Sequence, residues 1–148
     1  MRIKKISAFY SHKNSNSGDK EFEFYEILNS LPVPIFIKDS TGIYTNCNKA
    51  YETFIGLNKD EIIGKSVYDI APRNLADEYH RKDQELFEQG NVQVYESKVT
   101  TKGMDRYVRF QKSVYRGSAG KIKGLVGVII DITEQKKAEQ SAGVALFP

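Results

Sequence analysis

Apolar residues occupy nearly every position from Leu125 to Ile132, so this stretch reserves no face for water, and Val126, Val128, Ile129 and Ile130 favour an extended backbone. A central strand covered on both sides is predicted. Directly behind it, Asp131-Ile132-Thr133-Glu134 and then EQKKAEQ replace apolar residues with strong helix formers, which predicts that 133–148 holds the start of a polar helix leaving the domain, followed by a tail. Strand and helix are joined without slack, an arrangement suited to passing a change in the core along the chain.

Upstream, residues 1–20 are polar and turn-rich and are expected to form a linker or disordered lead. Phe24, Ile27, Leu28 and Leu31 recur at helical spacing until Pro32 and Pro34, which predicts an amphipathic helix within 21–33 whose stripe needs the outer sheet face as cover. The core is expected over 34–132. PIFIKD and IYTN read as a β-hairpin turned by Asp39-Ser40-Thr41-Gly42. Asn48 is expected to cap a helix through KAYETFIG that stops at Gly56. Asn58 and Glu61 supply a capping box, and SVYDI is a third short segment. Asn74 is expected to cap one long helix over 75–89, with Gly90 as its stop and a thin stripe of Leu75, Tyr79, Leu86 and Phe87. Residues 92–100 and 106–115 follow as strands joined by a turn around 102–105, and a turn at 117–120 leads into the last strand. Two strands, several helices and three strands make an α+β domain with a five-stranded antiparallel sheet.

At 148 residues and 40% hydrophobic content the chain suffices for one domain with one core. Its 22 basic and 19 acidic residues are interspersed, giving a net charge of +3, so neither a nucleic-acid surface nor direct membrane contact is expected. No apolar run approaches membrane-spanning length, and 1–10 lacks the apolar centre of a secretion signal, so a cytoplasmic location is expected. Cys47 is the only cysteine, which excludes an intramolecular disulfide and a multi-cysteine zinc site.

SLPVPIFIKDSTGIYTNCNKAYETFIG, NKDEIIGKSVYDI and, above all, GLVGVIIDITEQKKAE resemble the PAS domain, a sensory module of bacterial and archaeal signalling proteins, over roughly 24–140. The resemblance implies a five-stranded antiparallel sheet of order 2-1-5-4-3, short helices and one longer helix on one face, and a pocket between them. It also places Asp131 and Thr133 where the family couples its last strand to the outgoing helix. The light-sensing, flavin-binding branch of the family uses an Asn-Cys-Arg-type motif on a short helix, where this chain reads SVYDIAPRN, so Cys47 is expected to be a small buried filler and flavin is not expected. Haem-binding members use a histidine on the long helix. His80 stands near that place among Glu78, Arg81, Lys82 and Asp83, and it is expected to be an exposed helix histidine rather than an iron ligand.

For the hairpin over 92–115, a turn centred near Gly103 sets Glu96 opposite Phe110 and Lys112 diagonally beside Glu96. Together with the family's pattern, this turns Val94, Glu96, Val108, Phe110 and Lys112 toward the pocket, joined from the last strand by Leu125, Gly127 and Ile129. An apolar cavity with one acid and one amine suits a small polar or carboxylate-bearing molecule of unknown identity. The competing expectation is that Glu96 and Lys112 pair with each other, or that a register one residue different turns both to water. Gly127 either opens room for a ligand or admits close packing.

The resulting expectation is a sensory domain that binds a small ligand and relays through its C-terminal helix to a covalently linked effector, a histidine kinase or a diguanylate cyclase. A homodimer is expected through the N-terminal helix and the outer sheet face, where Tyr107, Tyr115, Val126, Val128 and Ile130 lie. The alternative is a ligand-free interaction module. A small enzyme using Glu96 as a base finds no support, since paired carboxylates, a Ser-His-Asp arrangement and phosphate-cradling glycines are all missing from the sequence.

Overall fold

The structure is a computed structural model that describes residues 17–143. The expected lead over 1–16 and the tail over 144–148 lie outside the described residues. The elements are α1 (Ser17–Ser30), β1 (Ile35–Asp39), β2 (Tyr44–Cys47), α2 (Lys49–Ile55), α3 (Lys59–Ile62), α4 (Val67–Ile70), α5 (Arg73–Gln89), β3 (Val92–Thr101), β4 (Met104–Arg116), β5 (Ile122–Asp131) and α6 (Thr133–Ser141). The strands form one antiparallel sheet of order β2-β1-β5-β4-β3, so β5 has neighbours on both edges. α1 begins at Ser17, four residues ahead of the expected start.

Side chains of α2 to α5, among them Tyr51, Ile62, Val67, Ala76 and Leu86, pack on the sheet face that presents Phe36, Val108, Phe110, Leu125 and Ile129. Fully burying a side chain such as Ile62, Leu86 or Leu125 contributes about 1.5–3 kcal/mol. The opposite sheet face is covered in part by α1, where Leu28 is buried and Tyr25 and Phe24 edge a groove floored by Ile37, Thr45 and Val126. Val126, Val128 and Ile130 are consequently half-buried on that side, while their neighbours Leu125, Gly127 and Ile129 are buried on the other.

One side chain organises the N-terminal half. Asn48 is fully buried; its Oδ1 accepts from the Tyr51 amide at 3.0 Å, capping α2, and from the Ile35 amide at 2.9 Å. Its Nδ2 donates to the carbonyls of Leu28, Leu31 and Val33. The end of α1, the following turn, β1 and α2 therefore meet on one amide group, and backbone groups that burial would otherwise leave unpaired are satisfied.

Two further boundaries differ from expectation. α5 starts at Arg73 and not after Asn74, because Pro72, with φ −58°, is already set for the helix and its carbonyl accepts from the Ala76 amide at 2.8 Å. The β3–β4 turn has two residues, Lys102 and Gly103, both at positive φ (54° and 75°), so Thr101 faces Met104.

Candidate ligand cavity and its link to the C-terminal helix

That two-residue turn decides which side chains reach the interior. Residue pairs across the hairpin sum to 205, so Tyr95 faces Phe110 and Glu96 faces Arg109. A shift of one position flips every side chain of a strand. The expected inward placement of Val94 and Glu96 is thus corrected: both point to the outer face, where Val94 is 56% exposed and Glu96 pairs with Arg109 Nη2 at 3.1 Å. Gln93, Tyr95, Ser97 and Val99 take the inner positions.

Between the sheet and α2, α4 and α5 lies a cavity of about 160 Å³. Of the residues expected to line it, Phe110, Lys112 and Ile129 do. Val108 and Leu125 are fully buried in the adjoining core. Gly127 leaves space for a ring of the protein itself: a methyl group there would come within 2.7 Å of two Phe36 ring carbons and closer still to Cζ. Aromatic walls come from Phe36, Tyr44 and Tyr51 at one end and from Tyr79, Tyr95 and Phe110 at the other. Tyr95 and Tyr79 meet the Phe110 ring at centroid distances of 5.0 and 5.4 Å.

Set into these walls is a cluster of three buried charges. Asp83, from α5, accepts from Lys38 Nζ of β1 at 2.6 Å on Oδ2 and from Lys112 Nζ of β4 at 2.7 Å on Oδ1. Lys112 also donates to the Tyr95 hydroxyl at 3.1 Å. Lys38 lies 4.8 Å from the Tyr44 ring centroid and Lys112 lies 4.7 Å from that of Tyr95, so aromatic faces add to the stabilisation of both ammonium groups. Burial works against the Lys38 charge, but Tyr44 and Asp83 outweigh it and hold its pKa above the ordinary value. At Lys112 burial dominates, Asp83 offsets it only in part, and the pKa falls to about 8.

Neither Lys38 nor Asp83 was among the expected site residues. Their signals were present: Phe36 and Lys38 share one parity in PIFIKD, and Ala76, Tyr79, Asp83 and Leu86 share one helical face. An acid in the middle of that stripe was the available clue.

The strands that bear Phe110 and Ile129, which face each other, run on into the grip on α6. The Tyr107 amide donates to Thr133 Oγ1 at 3.0 Å, the Ile132 amide donates to the Tyr107 carbonyl at 2.8 Å, and the Thr133 amide donates to Asp131 Oδ1 at 2.9 Å. Asp131 Oδ2 pairs with Arg106 at 3.0 Å. From the outer sheet face, Glu96 also accepts from Lys136 of α6 at 2.9 Å, so its carboxylate pKa is lowered by Lys136 first and by Arg109.

The profile of the PAS fold matches residues 28–137. The chain belongs to the PAS fold family. It is 33% identical over 133 residues to the uncharacterized protein y4lL of Sinorhizobium fredii, 31% identical over 120 residues to the virulence sensor protein BvgS of Bordetella bronchiseptica, and 28% identical over 120 residues to a diguanylate cyclase of Vibrio cholerae. These alignments cover 87%, 78% and 78% of this chain but only 16%, 10% and 37% of the respective relatives, so it corresponds to one segment of each. The solved structure of the PAS domain from Bordetella pertussis BvgS superposes with a TM-score of 0.69 at 26% identity, covering 86% of this chain and 97% of that one. The PAS fold, with its sheet order 2-1-5-4-3, is that of a sensory domain and not a catalytic one.

In this PAS domain His80 sits on α5 against the Tyr68 ring, at a centroid distance of 5.6 Å, and is not part of the cavity wall. The same helix turns Tyr79 and Asp83 inward, so it offers the cavity no imidazole. Cys47 is buried in the core and likewise does not line the cavity; burial pushes its thiol up to about 11. Among the described residues no group of three His, Cys, Asp or Glu side chains is placed to hold a metal ion, and no helix is long and apolar enough to cross a membrane.

Proposed function

We propose that this PAS domain is the sensory segment of a cytoplasmic signalling protein: a small molecule occupies the cavity, and its presence is relayed through β4 and β5 to α6. The observation that carries the reading is continuity. Phe110 and Ile129 line the cavity, and the same two strands, only a few residues on, hold Thr133 through Tyr107 and Asp131. A ligand that shifts the ring of Phe110 acts on a strand whose far end carries the first turn of the outgoing helix. An effector such as a histidine kinase or a diguanylate cyclase, linked beyond α6, is part of the proposal.

Native mass spectrometry of the gently purified chain tests the first step, and hydrogen exchange of residues 133–141 with and without the bound molecule tests the second. A co-purifying molecule whose removal changes exchange in α6 supports the reading. An unliganded protein whose α6 exchange is indifferent to filling the cavity by Ile129→Phe would sink it.

A second reading concerns α1 and the residue that follows it, which leave Phe22, Phe24, Ile27 and Leu31 between 44% and 66% exposed. Such a row of apolar side chains fits a second copy of the chain, as expected for a dimeric sensor. Light scattering across a concentration series tests it, and a monomer throughout would rule it out.

A further inference from the structure

The buried cluster does not balance its charge. Asp83 supplies one carboxylate, whereas Lys38 and Lys112 supply two ammonium groups, and all three residues are 2% exposed. Their charged surroundings do not correct this. Among the described residues Lys102 is the only other charged one on the cavity wall, and Lys82 of α5 lies 5.0 Å from the Tyr95 ring centroid. Glu78, also on α5, is close enough to Tyr79 and Tyr95 to act on their phenols but makes no ion pair with either buried lysine.

A core that needed only an internally satisfied ion pair would contain one lysine. The second is costly to keep in an apolar interior without a counter-charge. The cavity also presents hydroxyl groups whose hydrogen bonding is incomplete. Thr101 Oγ1 is buried without a hydrogen-bond partner, Tyr79 Oη has the Ser97 side chain near it but no hydrogen bond of good geometry, and both residues line the cavity. Its volume of about 160 Å³ is close to the roughly 150 Å³ that houses a single benzene ring in an apolar protein cavity, and its walls are aromatic.

Building on the sensory reading, we propose that the ligand is a small organic carboxylate, with a body about the size of one six-membered ring, whose negative charge completes the Lys38–Asp83–Lys112 cluster. The carboxylate supplies the missing counter-charge and accepts from the Thr101 and Tyr79 hydroxyls, while the ring-sized body takes the aromatic space.

The test pairs acids with neutral amides of the same shape. Benzoate and cyclohexanecarboxylate, benzamide and cyclohexanecarboxamide, each at pH 7 against an equal concentration of sodium chloride, are titrated into the full chain and followed by calorimetry and thermal melting. The acids are expected to bind at least about ten-fold more tightly than the amides, the scale of a charge-assisted hydrogen bond. Lys112→Met, which leaves the one-to-one pair of Lys38 and Asp83, is expected to abolish that preference, and Lys38→Met serves the same purpose if the first variant does not fold.

Amides that bind as well as the acids, or an acid preference untouched by both variants, overturn the carboxylate assignment while leaving the sensory reading intact. Failure of every probe, together with the lack of any co-purifying molecule, overturns both. A co-purifying neutral or cationic molecule overturns the assignment alone.

Discussion

Replacing Lys112 by methionine keeps most of the side-chain volume, removes one of the two buried ammonium groups and leaves Asp83 paired with Lys38. The fall of the Lys112 pKa from 10.5 to about 8 means that holding the charged form in the fold costs about 3 kcal/mol at neutral pH, each pH unit of displacement being worth ~1.4 kcal/mol. The sign follows from proton counting. Between pH 8 and 10.5 the unfolded chain keeps the Lys112 proton and the folded chain has released it, so the unfolded state binds more protons and stability rises with pH in that window. From pH 7.5 to 9.5 this group should raise the unfolding free energy of the wild type by about 2 kcal/mol.

Beyond pH 10 the trend should reverse. Tyr51 and Tyr95 are held protonated by burial, so deprotonation then favours the unfolded chain. In Lys112→Met the rise should vanish, and at pH 7 the variant should be more stable than the wild type by about 1 kcal/mol, part of the gain being offset by the lost bonds to Tyr95 and Asp83. Urea unfolding followed by circular dichroism at half-unit pH steps measures all of this. A wild-type profile that is flat or falling between pH 7.5 and 9.5, or a variant with the same slope, would refute the reasoning.

Other perturbations separate packing from coupling. Gly127→Ala drives a methyl group into the Phe36 ring and should cost about 2 kcal/mol or more by overpacking; the double variant with Phe36→Leu should recover part of the loss, as a denaturation double-mutant cycle will show. Asn48→Ala strips partners from five backbone groups and should destabilise by about 3 kcal/mol, with amide exchange accelerated together in α1, β1 and the start of α2. Thr133→Val removes the acceptor of the Tyr107 amide and should lower global stability by only about 1 kcal/mol, while exchange in α6 rises several-fold relative to the strands. Glu96→Gln, at an exposed ion pair, should leave the melting temperature nearly unchanged yet loosen α6 in the same exchange measurement.

The elements whose local chemistry is strong were legible in the sequence. Asn48 before KAYETFIG, Gly56 and Gly90 at left-handed helix ends, and the uninterrupted apolar run of β5 each fix a boundary by backbone requirements that few residues meet. The outgoing helix at Thr133 was readable for the same reason. The candidate site was legible only in part, because its composition depends on one integer. Whether the hairpin turn holds two residues or three is decided by Lys102 adopting a positive φ, a conformation that lysine seldom takes, and that choice sends Glu96 outward and Tyr95 inward. Lys38 and Asp83 were missed for a different reason. Long or charged side chains read as solvent-facing until the partner that neutralises them is known, and here the partners come from three separate elements.

Asn48 has a mechanical consequence. The Asn48 side-chain amide that donates to the Leu28 carbonyl near the end of α1 also accepts from the Ile35 backbone, and β1 is zipped to β5 along its whole length, with α6 attached at the end of β5. A pull or twist exerted on the first helix by anything upstream therefore meets an unbroken row of hydrogen bonds leading to the last one, along a route that skirts the cavity. The described domain is thereby built as a strut, so that a load applied to α1 reaches α6 through β1 and β5.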